Sequence, residues 1–129
     1  MDPLSELTIL GREVSEPVKT LDTFSRPENT RYISMQSDEV TSLCPITGQP
    51  DWYTVRIEYA PDALCIESKS LKLYLWSFRE EGHFCEKLAD IIALDVREQV
   101  RPHWVEVTLV QKPRGGITIE TRSRIGDRA

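Results

Sequence analysis

A chain of 129 residues with 40% hydrophobic side chains can bury one modest core, and a net charge of −5 excludes a protein whose main work is gripping phosphate backbones. No apolar run approaches the roughly 20 residues that span a bilayer. Three cysteines with no CxxC pair, and no signal-peptide core, point to a reducing, cytoplasmic setting.

Residues 1–29 read as an arm, because Pro3, Pro17, Pro27 and many charges interrupt any period. A single domain is expected over 30–129. Residues 30–37 give a first, weakly patterned strand. The stretch TSLCPITGQPD (41–51) comes next as a loop, since Pro45, Gly48 and Pro50 disfavour a regular helix or central strand. Residues 52–60 alternate, with Tyr53, Val55, Ile57 and Tyr59 on one face and Thr54, Arg56 and Glu58 on the other. A turn at Pro61-Asp62 leads to a short apolar piece, 63–66, where Cys65 reads as a small core residue. From Ser70 the period becomes helical, through Leu71, Tyr74, Leu75 and Phe78, and ends at Gly82. A second helix is expected from Phe84 to about Val100, with Phe84, Leu88, Ile91 and Ile92 as its stripe and Asp95 inside that stripe, as a boundary charge or a buried partner to an arginine. Residues 103–111 and 117–121 alternate again, joined by a turn over 112–116. The order is strand, strand, helix, helix, strand, strand: an α+β layer with a four-stranded antiparallel sheet and both helices on one face. The other sheet face carries Arg56, Glu58, Glu106 and Thr108, and is either wet or lines a barrel built by several subunits.

Three places can carry chemistry. Cys44 and Asp51 share one loop. A free thiol has a pKa of about 8.5, so a nearby carboxylate that takes its proton would make it a nucleophile; an inert loop cysteine beside a turn aspartate is the equal alternative. Glu67 to Lys72, ESKSLK, opens the first helix, where free N–H groups and two lysines favour anions, or where a serine simply caps the helix. Glu86, at the start of the second helix, can accept two hydrogen bonds from a guanine-like edge, or merely favour the helix dipole. Cys44, His83 and Cys85 lack a common zinc spacing, so no metal is expected, and no GxGxxG marks a Rossmann site.

Taken together, TSLCPITGQPD, ESKSLKLYLWSFR, GHFCEKLADII and PRGG, in this order over about residues 30–121, resemble the NADPH-dependent 7-cyano-7-deazaguanine reductases. These are the nitrile reductases of queuosine biosynthesis, a tRNA modification pathway, here in their short single-domain form. The resemblance implies the tunnelling fold, ββααββ, in homo-oligomeric rings whose sheets form a barrel, as a decamer of two pentamers with active sites between subunits. It implies Cys44 as the nucleophile that forms a thioimide with the nitrile, and Asp51 as its acid/base. Ile66, Glu67, Ser68, Cys85 and Glu86 would bind the substrate, Glu86 by the guanine-like edge. Lys69, Lys72 and Arg114 would meet the phosphates of NADPH. No nucleic acid or membrane is an expected partner. Where relatives often carry His before that glutamate, this chain has Cys85, and His83 would point to another side of the helix. A cyclohydrolase-like enzyme acting on a purine or pterin ring, and a silent binding module that tolerates loss of Cys44, are the rival readings.

Overall fold

The computed structural model describes residues 18–128. Its elements are β1 (Thr23–Ser25), β2 (Ile33–Leu43), β3 (Pro50–Ala60), β4 (Leu64–Ile66), α1 (Ser68–Trp76), α2 (Cys85–Val100), β5 (Trp104–Arg114) and β6 (Ile117–Ile125). The expected ββααββ order stands, with β1 and β4 added as a small antiparallel pair. The main sheet runs β2-β3-β5-β6, all antiparallel, so β2 and β6 are its edges. Alternation places Tyr53, Val55, Ile57, Val105, Val107 and Leu109 under the helices, all buried. Leu88, Ala89, Ile92 and Val96 of α2 close over them.

Two bulges switch the face on which the ends of β2 and β5 present their side chains. Register passes from Ser37 opposite Val55 to Val40 opposite Tyr53, and from Gln111 opposite Ile119 to Arg114 opposite Ile117. Each passage inserts one extra residue in β2 or β5, which turns the next side chains to the opposite face. Val40 and Ser42 thereby join Tyr53 and Asp51 on the helix side, and Arg114 joins Gln111 there. Pro113 sits inside the second bulge, where its missing N–H costs no ladder bond.

Several boundaries differ from expectation. Strands extend to Leu43 and begin again at Pro50, so the Cys44 loop shrinks to 44–49. Pro50 is tolerated because it is the first residue of β3, ahead of the pairing with β5 that starts at Tyr53. The turn of the last hairpin is only Gly115-Gly116, both at positive φ (62° and 78°), as a two-residue turn requires. Helix α1 starts earlier, since Glu67 accepts from the N–H groups of Lys69 and Ser70 at 2.8 and 3.1 Å, and it ends at Trp76, leaving Phe78 buried in the turn after it. Phe84 is not part of the α2 stripe: it precedes the helix and is 58% exposed. Asp95 pairs with a tyrosine rather than an arginine, accepting from the Tyr74 hydroxyl at 2.5 Å. Of the expected arm, 1–17 lies outside the described residues. Residues 18–29 lie on the domain: Leu21 and Asp22 are buried, and Asp22 N–H donates to Ser70 Oγ at 2.9 Å.

On the far sheet face, Glu58 and Glu106 stand directly opposite each other, 7% and 8% exposed. Two carboxylates so placed repel. Arg128 donates to both at 2.9 Å, and the Tyr32 hydroxyl donates to Glu58. The Tyr32 hydrogen bond, and then Arg128, hold Glu58 below the ordinary glutamate value. The stability this contributes is complete above the unfolded value of about 4.3 and is lost as pH falls through the folded one. Arg128→Ala is therefore expected to melt several degrees below the wild type at pH 7. The gap should close as acid protonates Glu58; thermal melts at stepped pH, showing a gap that does not change, would refute this account.

Candidate active site

The hairpin between β2 and β3 presents the loop 44–49. Cys44 N–H donates to Gln49 O at 2.8 Å and Gly48 N–H to Cys44 O at 2.9 Å, which closes the loop on itself. Gly48, at φ 72°, supplies the left-handed residue that this closure needs. The segment before α2 braces the loop from behind: Leu43 N–H donates to Glu81 O at 2.8 Å, and His83 N–H to Leu43 O at 3.1 Å.

A cleft of about 300 Å³ opens between this hairpin, the start of α2 and the end of β5 and β6. Cys44, Asp51, Cys85, Glu86 and Arg114 all line it, as do His83, Phe84, Gln111 and Ile117. Five of the residues expected at a site are thus brought together. Ile66, Glu67, Ser68, Lys69 and Lys72 do not line this cleft. Ile66 is buried, Glu67 caps α1, and Ser68 and Lys72 border a separate groove of about 590 Å³ between β2 and α1. His83 corrects the expectation that it points elsewhere. It lies before the helix, outside helical periodicity, and lines the cleft with its Nε2 2.9 Å from Glu81.

The thiols differ sharply. Cys44 falls from the usual thiol range to about 7, through the Thr47 hydroxyl first and then the Thr47 and Ile46 backbone, with Arg114 adding a smaller share. Cys85 is 2% exposed, and burial, then Glu86, push it up to about 11; its Sγ is 3.9 Å from Leu109 O. Burial likewise raises Cys65. Only Cys44 combines access with a large thiolate fraction at neutral pH.

Asp51 is 5% exposed, and its Oδ1 accepts from Arg114 Nη1 at 2.5 Å. Arg114 Nη2 reaches Thr47 Oγ1 at 3.2 Å and Gln49 Oε1 at 3.4 Å. The guanidinium expected at a cofactor phosphate is thus bound to the acid and to the cysteine loop. Thr47, Gln49 and Phe84 were not legible as site residues. The bulge that aims Arg114 had one trace, a proline inside an otherwise alternating run. Glu86 is exposed in the first turn of α2, beside the cleft.

This arrangement offers an activated thiol, a buried carboxylate and a second, exposed carboxylate able to read donors. The chain matches a family model described as QueF-like protein over residues 50–129. It is similar to the NADPH-dependent 7-cyano-7-deazaguanine reductase of Syntrophus aciditrophicus (strain SB), 47% identical over 120 residues, with 92% of this chain and 85% of that protein covered. The protein of the same name from Anaeromyxobacter sp. (strain Fw109-5) is 44% identical over 116 residues, covering 88% and 95%. Among solved structures, the archaeosine synthase QueF-Like in its apo form matches the fold with a TM-score of 0.74 at 24% identity, over 79% of this chain and 100% of that one.

Proposed function

The chain belongs to the QueF-like family, and from that premise and the site's geometry we propose that it reduces a nitrile through a covalent adduct on Cys44. It is an NADPH-dependent oxidoreductase that converts 7-cyano-7-deazaguanine to 7-aminomethyl-7-deazaguanine, a step of queuosine biosynthesis. Its fold is the tunnelling fold. The observation that carries the mechanism is an accessible thiol near pKa 7 sharing a cleft with a buried aspartate.

A nitrile carbon accepts hydride poorly. Cys44 sulfur adds to that carbon, and Asp51 passes the thiol proton to nitrogen, which gives a thioimide. Two NADPH molecules, bound in turn, would each supply one hydride. With one hydride and one proton at nitrogen the Cys44 thioimide would become a hemithioaminal; Cys44 then leaves as thiolate, and the imine forms as its nitrogen gives up a proton. The second hydride, with a further proton, gives the amine. One nitrile thus consumes two hydrides and two protons, and Cys44 is regenerated. Water must be kept from the imine, which a closed site would do.

The donors at the other groove fit the cofactor. Lys72 lines that groove and Lys69 is exposed in the first turn of α1, while Met35, Leu71, Leu75 and Trp76 give the groove an apolar floor. That groove and the Cys44 cleft lie on different parts of one chain. The two edges of the sheet, β2 and β6, supply the reason to join copies: pairing β6 of one copy with β2 of the next extends the sheet toward a barrel. Ile66, Glu67, Ser68 and the lysines of one copy then complete the cleft of another, in a ring of the decameric kind. The domain responsible is the single unit over 30–129, with residues 18–29 laid against it.

The direct test is NADPH oxidation by the purified chain given 7-cyano-7-deazaguanine, with the product identified by mass. Two NADPH consumed per nitrile supports the reading, and no oxidation by folded protein defeats it. Glu86 should read the guanine-like edge. Glu86→Ala leaves two ring donors unpaired, so KM for the nitrile should rise about 10- to 100-fold with kcat little changed. An unaltered KM in steady-state assays would remove Glu86 from that role.

A further inference from the structure

We propose that Arg114 and Thr47 form one positioning unit, in which the guanidinium fork holds Asp51 with one nitrogen and orients Thr47 with the other, so that the Thr47 hydroxyl donates its proton to Cys44. The proposal rests on the roles given above to Cys44 and Asp51.

The proton count carries it. A threonine hydroxyl has one proton and two lone pairs. Thr47 Oγ1 accepts from Arg114 Nη2 at 3.2 Å and from Gln49 N–H at 3.3 Å. Both lone pairs are engaged, so the hydroxyl proton is left for a third partner, and Cys44, on the same loop, is the group whose thiol the Thr47 hydroxyl lowers most. Arg114 brings order as well as charge. Its Nη1 binds Asp51 on β3, while its Nη2 binds the tip of the loop at Thr47 and Gln49. Acid and nucleophile are thereby fixed to one rigid plane. The β5 bulge makes this possible, because without the extra residue Arg114 would point to the far sheet face.

The surroundings need such a cation. The titratable groups facing Cys44 are Asp51 from β3, His83 ahead of α2, Cys85 and Glu86 from α2, and Arg114 from β5. Two of these are carboxylates, and among the described residues that line the cleft Arg114 is the one arginine or lysine. A thiolate beside Asp51 is opposed by like charge unless the fork stands between them.

The test measures alkylation of Cys44 by iodoacetamide across pH, by intact-protein and peptide mass, with neither substrate nor NADPH present. Cys65 and Cys85, 1% and 2% exposed, stay silent. Wild type should show a midpoint near 7. Thr47→Val, which keeps the shape and removes the hydroxyl, should raise it by about one unit, or roughly tenfold slower alkylation below the midpoint. Arg114→Gln should raise it too. Arg114→Lys, which keeps the charge but loses the planar fork, should fail to restore it. In turnover, both Arg114 variants should lower kcat with KM for NADPH nearly unchanged. An unmoved midpoint in Thr47→Val overturns the proposal, and so does full restoration by lysine. A higher KM for NADPH with an unmoved midpoint overturns it in favour of a phosphate anchor. Thr47→Val decides the matter even where an Arg114 variant does not fold. The alkylation arm needs no reductase activity, so failure of the nitrile mechanism, seen as turnover by Cys44→Ala, is a separate result.

Discussion

Cys44→Ala is expected to lose nitrile reduction by at least about 10⁴-fold while folding as the wild type does. The size reflects what is removed. Without the thiol no thioimide forms, and hydride must attack a nitrile directly. Stability should hardly change, because Cys44 is only half-buried and its backbone makes the loop's hydrogen bonds, which alanine retains. Intact-protein mass without NADPH gives an independent reading. Wild type should gain the mass of one substrate, and the variant should gain none. The adduct also carries a pH signature. A lowered thiol pKa means that the thiolate fraction climbs as pH rises through about 7 and is complete above it. The rate of adduct formation should track that curve and level off where an ordinary thiol, with pKa about 8.5, would still be rising. Turnover by Cys44→Ala within tenfold of wild type would discard the covalent route.

Much of this site was legible because local chemistry and chain order agreed. Tyr53 to Tyr59 alternate without interruption, so β3 and its buried face needed no tertiary knowledge. Cys44 and Asp51 stood out because a thiol and a carboxylate among turn-formers have little to do in a core. What was hidden depends on contacts between distant residues. Arg114 lies 63 residues from Asp51, and its aim depends on one extra residue in β5. Periodicity with that residue uncounted sends the guanidinium to the wrong face. Phe84 was misplaced for a related reason: its apolar side chain fits the α2 period, but it caps the helix from outside and faces the cleft. Arg128 could not be placed at all, since nothing in a C-terminal Gly-Asp-Arg marks a clamp on two glutamates opposed across a sheet.

Asp51→Asn should lower kcat by about 10²- to 10⁴-fold and leave the affinity for the nitrile within a few-fold of wild type. The substitution isolates the proton. An asparagine carbonyl still accepts from Arg114, so the fork, Thr47 and the loop keep their places, while the group that moves a proton between sulfur and nitrogen is gone. Asp51→Ala removes both functions and frees the guanidinium in a cleft it was built to fill, so it should be worse than asparagine in rate and should also disturb the Cys44 alkylation midpoint. The two variants therefore separate proton transfer from positioning. Single-turnover measurements locate the lesion further: if Asp51 delivers the proton to nitrogen, adduct formation itself slows in Asp51→Asn, and hydride transfer from preformed adduct slows with it. Fast adduct formation and near-normal kcat in Asp51→Asn would show that another group supplies the proton. His83, held by Glu81 on the same cleft, is the residue that would then have to be replaced next.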